Sequence, residues 1–148
     1  MTNEDKELLL KDLCARLPYK VKVNTFTYDK ISGEELDSIE TLYSIDSDGY
    51  ITTYECDTNR PICKPYLFPL SSMTEEQRIE ASHELGLKKY TINIFGDIES
   101  YSEIGDDIAY IDIESINRYI NWCYKNHFDY RGLIPMGLAK DATGLNIY

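Results

Sequence analysis

Three cysteines and one histidine have the types and spacing that could hold a metal ion. Cys123 and His127 are four residues apart at the end of a predicted helix, so both side chains are expected on one face. Cys56 and Cys63 share a predicted loop and could complete a tetrahedral Zn²⁺ site, although their C-x6-C spacing is wider than usual. In the alternative interpretation, Cys123 is a buried thiol and His127 ends a helix near its last carbonyl groups. We expect no cofactor, with zinc at these four residues as the alternative.

Catalytic motifs are missing from the sequence. It contains no G-x-S-x-G, phosphate-binding loop, H-E-x-x-H or dinucleotide fingerprint, and only two histidines, His83 and His127. Cys123 could form a thiol nucleophile with His127 and Asp129. A cysteine in the middle of a helix is poorly activated, however, because no helix N-terminus lowers its pKa. We therefore predict a protein that is not an enzyme.

The charge of the chain restricts its partners. Fifteen Lys and Arg residues against 26 Asp and Glu residues give a net charge of −11. Phosphate groups attract basic proteins, so binding to nucleic acid or to anionic lipid is disfavoured, and a protein partner with a basic surface fits better. One acidic run could dock such a partner or mimic nucleic-acid phosphates; it comprises Asp97, Glu99, Glu103, Asp106 and Asp107. The alternative is a solvated loop, with acidity that serves solubility.

Length and hydropathy indicate one cytoplasmic domain. A chain of 148 residues with 43% hydrophobic residues can build a single core, which we expect to span residues 1–148. No apolar stretch approaches the roughly 18 residues that cross a membrane, and the N-terminus lacks the pattern of a secretory signal. Four scattered cysteines without an export signal are typical of reduced thiols. The oligomeric state is not indicated.

Helical spacing and capping residues predict three helices. The first begins after Thr2 or Asn3 and stops before Pro18. A second begins at a capping box, either Ser72 with Glu75 or Thr74 with Gln77, and ends near residue 85. The third opens at residue 112 or 114 and runs to about residue 126, with its apolar side chains along one side.

Alternating apolar residues predict a small antiparallel sheet, which makes the fold class α+β. Residues 39–45 and 50–54 form a hairpin around Asp48-Gly49, and further strands are expected near residues 21–25, 90–95 and 108–111. Phe26 interrupts the alternation, which suggests a bulge. Prolines break the segment 66–70, so we expect it to lie on the core as an extended segment. We expect residues 98–105 to form a loop and the last twenty residues an irregular wrap.

Two segments of the chain carry motifs that are similar to those of other proteins. Residues 64–76, KPYLFPLSSMTEE, and residues 127–134, HFDYRGLI, followed by GLA at 137–139, resemble motifs of a group of small uncharacterised proteins from gut Bacteroidales and their phages or prophages. The resemblance implies an accessory protein of a mobile element and supplies no reaction. Four residues of these segments form a candidate binding surface: Tyr66, Phe68, Tyr130 and Arg131. The favoured alternative is that the two segments pair with each other as a structural unit, in which Arg131 pairs with Asp129 or another acidic residue. Phe68 stands where arginine is common in the group.

The sequence therefore favours a non-enzymatic, acidic interaction protein, encoded by a phage or mobile element, that binds a protein partner. One alternative is an acidic inhibitor that mimics nucleic acid and blocks a host defence or nucleic-acid enzyme. Another is a small-molecule-binding or zinc-stabilised module. The thirteen tyrosines suit a binding surface and half-buried strands equally well, so they do not decide between these functions.

Overall fold

A computed structural model describes most of the chain: residues 1–28, 31–48, 50–53, 63–86, 90–93, 95–100 and 112–148. Within these ranges lie three α-helices, a three-stranded antiparallel sheet and two two-stranded pairs, one of them parallel. The predicted α+β class is therefore confirmed. The chain divides into two compact units, the first formed by Met1–Leu67 and Leu133–Tyr148, the second by Phe68–Gly132. A single domain over residues 1–148 stays a prediction.

The first unit begins with helix α1, Asn3–Arg16. Its N-cap is Thr2, whose hydroxyl accepts a hydrogen bond from the Asp5 main chain, while the Asp5 carboxylate accepts one from the Thr2 main chain. This reciprocal capping box satisfies two main-chain donors that the helix leaves unpaired, so the predicted start is confirmed. A 3-10 turn with proline in its first turn, Leu17–Tyr19, follows the helix.

Three strands form the antiparallel sheet of the first unit: β1 (Lys22–Tyr28), β2 (Glu35–Ile45) and β3 (Ile51–Thr53). The predicted hairpin joins β2 to β3. In its turn the Asp46 carboxylate accepts hydrogen bonds of 2.9 Å from the main chains of Asp48 and Tyr50. Strand β2 is longer than expected, because its first half also pairs with β1. The bulge lies in β2 near Tyr43, and the pairing of Phe26 in β1 is regular.

Strand β4 (Tyr66–Leu67) corrects the expectation that residues 66–70 merely lie on the core. On one side, the Asn24 main chain donates to the Lys64 carbonyl at 2.9 Å. On the other side, β7 (Lys140–Asp141) pairs with β4 in parallel, and the Lys140 main chain donates to the Pro65 carbonyl at 2.8 Å. A proline here removes only one donor, so its carbonyl still joins the ladder. The tail expected to be irregular therefore contributes a strand.

The second unit contains α2 (Glu75–Glu84), β5 (Tyr90–Ile92), β6 (Ile98–Ser100) and α3 (Ile113–Lys125), with β5 and β6 antiparallel. The capping box that forms is Thr74 with Gln77. The N-cap of α3 is Asp112, one of the two predicted starts, and its carboxylate accepts a hydrogen bond from the Ser115 main chain at 2.7 Å. Strand β6 shows that the expected loop is wrong for Ile98–Ser100, and the rest of that predicted loop lies outside the described residues. The predicted strand at residues 108–111 lies outside the described residues.

Each unit encloses its own apolar core. The core of the first unit is aliphatic and comprises Leu9, Leu13, Val21, Val23, Leu42, Ile51, Cys63, Leu67, Leu133, Leu138 and Ala139. The core of the second unit is rich in aromatic and sulfur-containing side chains and comprises Met73, Ala81, Leu85, Ile92, Tyr119, Trp122, Cys123 and Phe128. Of the helices in the described ranges, none combines the length and apolar character needed to cross a bilayer.

Candidate interaction site

The second unit carries a cluster of aromatic rings and one guanidinium group at the end of α3. The Tyr124 and Tyr130 rings meet edge to face with centroids 5.3 Å apart, and their hydroxyl oxygens are 2.6 Å apart. Arg131 Nη2 donates to the Tyr124 hydroxyl at 2.8 Å, and its guanidinium carbon lies 4.9 Å from the Tyr130 ring centroid. These contacts hold the side chains of Tyr130 and Arg131 against each other. Both residues are half-buried, and they are two of the four predicted binding residues.

Phe68, the third predicted binding residue, contacts residues 127–129, which directly precede Tyr130. Its main chain donates to the His127 carbonyl at 2.9 Å and its carbonyl accepts from the Asp129 main chain at 2.8 Å. Its ring lies 6.0 Å from that of Phe128, which stacks on Trp122 at 5.4 Å. The two segments that resemble a known group are thus hydrogen-bonded to each other here.

Tyr66, the fourth predicted binding residue, belongs to the first unit and is buried in β4. Burial raises the pKa of its hydroxyl, and the negative charge of Asp37 adds to the shift. The Lys140 ammonium lies 5.9 Å from the centroid of its ring. Its buried ring is therefore a poor contact for an external partner.

His127 lies beyond the end of α3, so the prediction that it shares a helical face with Cys123 is wrong. Its φ of +60° is left-handed, a conformation that ordinarily favours glycine. The Phe128 main chain donates to the Cys123 carbonyl at 2.9 Å, and the His127 main chain donates to the Tyr124 carbonyl at 3.2 Å. This pair of bonds is a Schellman motif with histidine in place of glycine.

The proposed zinc ligands are only partly described. Cys56 lies outside the described residues. Cys63 is buried in the core of the first unit, whereas Cys123 is fully buried in the core of the second. Within the described ranges, no three His, Cys, Asp or Glu side chains come together to hold a metal ion. Zinc at the complete set of four residues stays a prediction.

The Cys123 thiol interacts with the hydroxyl of Tyr119. Tyr119 lies one helical turn before Cys123 in α3 and is itself buried. Burial raises the pKa of the Tyr119 hydroxyl far above its ordinary value, and interaction with the Cys123 thiol raises it further. The Tyr119 hydroxyl is therefore held in its neutral form, which suits a contact inside the core.

The acidic run is described at two of its five residues. Asp97 follows β5 as an exposed residue, and Glu99 lies in β6. The Asn93 side chain accepts main-chain hydrogen bonds from Phe95 at 2.8 Å and Asp97 at 3.0 Å, which fixes the turn between the two strands. Glu103, Asp106 and Asp107 lie outside the described residues. Nucleic-acid mimicry by this run stays a prediction.

The first unit contains charged side chains that are buried at two places. Asp12 and Arg16 form an ion pair inside α1 with a distance of 2.6 Å, and both side chains are fully buried. In the sheet, the buried Glu40 carboxylate accepts hydrogen bonds from the hydroxyls of Thr25, at 2.7 Å, and Thr53. Each carboxylate has a charged or hydroxyl donor, so these groups are consistent with structural roles.

Sequence reasoning missed a surface on the first unit. Three large side chains of β1 and β2 point to solvent on the side of the sheet opposite the core: Phe26, Ile39 and Tyr43, with exposed fractions of 42%, 39% and 56%. Phe26 pairs directly with Asp37, and Ile39 lies two positions further along β2, a diagonal neighbour. The interrupted alternation at Phe26 was the available signal. We name these three residues the outer sheet face.

Comparison of the chain with protein-family models, with curated proteins and with solved structures gives no match in any of the three. The resemblance carried by residues 64–76 and 127–139 therefore stays a prediction. What the chain does has to be argued from its own contacts, charges and exposed surfaces.

Proposed function

We propose that this chain is a non-enzymatic interaction protein and that it binds a protein partner through the outer sheet face. The observation that carries the proposal is the exposure of Phe26 and Ile39 on one side of a regular antiparallel pair of strands, with Tyr43 exposed at the bulge further along β2. The solvent side of such a sheet normally carries polar side chains. Neighbouring exposed apolar residues there are typical of protein interfaces.

The chemistry of this face favours a partner with both apolar and basic groups. Asp37, which pairs with Phe26, is exposed, and Thr41 contributes a hydroxyl that accepts from Lys22 Nζ at 2.7 Å. The apolar groups are thus surrounded by polar groups, as in the rim of a protein interface. The net charge of −11 disfavours nucleic acid and anionic membranes and attracts basic protein surfaces.

The cell type and compartment are part of the proposal. The resemblance of residues 64–76 and 127–139 to proteins of Bacteroidales and their phages supports a mobile-element accessory protein that acts in the cytoplasm. A partner encoded by the host cell would fit such a role. Capture from a Bacteroidales lysate is therefore the appropriate assay.

The test compares three forms of the protein as bait: the unchanged chain, the double variant Phe26→Ser with Ile39→Ser, and the control Ile79→Ser. Ile79 is 51% exposed on α2, so its replacement removes exposed apolar surface at another place. The denaturant midpoint of each form is measured alongside, because Phe26 and Ile39 are only 42% and 39% exposed and their replacement also removes buried apolar area. Retention is then compared under conditions in which all three forms are folded.

We expect a protein that the unchanged chain and the Ile79→Ser control retain, and that the double variant loses by at least about tenfold in quantitative mass spectrometry. Retention should also weaken as salt rises, because charge attraction contributes to it. Equal recovery of every captured protein by all three baits would contradict the proposal. Recovery of nucleic acid instead of protein would contradict it as well.

A further inference from the structure

The edge of β1 that faces β4 carries two main-chain donors with different partners. Asn24 donates directly to the Lys64 carbonyl at 2.9 Å. The preceding residue of β1, Val23, forms an antiparallel bridge with Pro65. This register places Lys22 opposite Tyr66, since each step back along β1 is a step forward along β4. A direct bond from the Lys22 N–H to the Tyr66 carbonyl is therefore the expected next rung of the ladder.

The hydroxyl of Tyr148 takes the place of this rung. It accepts a hydrogen bond from the Lys22 N–H at 3.0 Å and donates one to the Tyr66 carbonyl at 2.6 Å. The two strands are thus bonded directly at Asn24, whereas at Lys22, two residues earlier in β1, a phenol oxygen joins them. Tyr148 is 42% exposed as a residue, while burial raises the pKa of its hydroxyl, so the oxygen is the enclosed end of the side chain.

We infer that β1 and β4 form a binding slot for a phenolic hydroxyl, which Tyr148 occupies as a ligand supplied by its own chain. The slot offers one N–H donor, from Lys22, and one carbonyl acceptor, from Tyr66. A hydroxyl satisfies both at once, because it accepts and donates through one oxygen. A hydrocarbon ring of the same size leaves both main-chain groups without a partner. This inference is independent of the partner proposed for the outer sheet face.

The first experiment replaces Tyr148 by phenylalanine, with Tyr50→Phe as the control at a tyrosine that is 45% exposed. Amide hydrogen exchange is measured at Lys22 and at Asn24. We expect Tyr148→Phe to speed exchange at Lys22 by at least about tenfold and to leave Asn24, which keeps its direct bond to Lys64, within about twofold. The control should change neither amide. An unchanged Lys22 amide in Tyr148→Phe overturns the inference.

The second experiment tests the ligand class by chemical rescue. Tyr148→Gly removes the phenol and leaves the slot to an added molecule, so p-cresol should raise its midpoint of thermal unfolding in a concentration-dependent way. Toluene, which has the same ring and methyl group without a hydroxyl, should raise it much less. The unchanged chain should respond to neither compound. Equal effects of p-cresol and toluene overturn the slot, and if Tyr148→Gly does not fold, the exchange rates in Tyr148→Phe decide.

Discussion

The left-handed conformation of His127 gives a prediction whose sign can be worked out from the main chain. We compare His127→Gly with His127→Ala in urea unfolding. Both variants lose the same imidazole, so the difference between them reports the backbone alone. Residue 127 has φ = +60° and closes the Schellman motif after α3. The residue at this position must keep that conformation for the Phe128 and His127 N–H groups to reach their carbonyl acceptors.

Two opposing contributions set the difference in the free energy of unfolding between His127→Gly and His127→Ala. A side chain with a Cβ atom costs about 1–2 kcal/mol in the left-handed region, which alanine pays and glycine avoids. Glycine in turn gains about 0.4–1 kcal/mol of conformational freedom in the unfolded chain, which favours alanine. The strain of alanine in the folded state is the larger of these two contributions. We therefore expect His127→Gly to have a free energy of unfolding about 1 kcal/mol higher than that of His127→Ala.

The same pair of substitutions at Asn121 is the matched control. Asn121 is exposed in the middle of α3, where alanine is favoured over glycine by about 1 kcal/mol. The order of the two variants should therefore reverse between the two positions. If alanine is the more stable replacement at residue 127 as well, the left-handed conformation is wrong and so is the helix end that depends on it.

Two further predictions concern charge. Asp12→Ala should lower the free energy of unfolding by about 3 kcal/mol, because it leaves the fully buried Arg16 guanidinium without its nearest carboxylate. The control Glu114→Ala, at an ion pair exposed to solvent, should stay within about 0.5 kcal/mol, and equal losses would contradict the burial of the Asp12 pair. Hydrogen bonds from Ser115 lower the pKa of Asp112 below 3.8, so its ionised form stabilises the folded state above that pH. This stabilisation is lost as the pH falls through the lowered pKa. In urea titrations at several acidic pH values, the free energy of unfolding of Asp112→Asn should therefore fall less steeply with decreasing pH than that of the unchanged chain. An equal pH dependence of the two proteins would contradict this role of Asp112.

Local chemistry explains which elements could be predicted. The capping box of Thr2 with Asp5 and the cap at Asp112 involve residues three apart, so the sequence alone specifies them. The end of α3 was predicted to within one residue, but the left-handed residue after it was not, because it is His127 where the usual signal is glycine. The pairing of β4 with β7 joins two-residue segments far apart in the chain, which no periodicity reveals.

The tyrosines show why the site itself was harder to predict than the fold. The Tyr148 hydroxyl bonds to main-chain groups 126 and 82 residues away in sequence. Apolar burial can place a phenol ring in any fold that offers space, but the partners of its hydroxyl depend on which strand edges meet there. Sequence patterns report neighbours within about one helical turn or one strand, so they cannot identify such partners. For a chain with thirteen tyrosines, the composition therefore indicates many hydroxyl contacts, and only the register of β1 against β4 shows which of them completes a ladder.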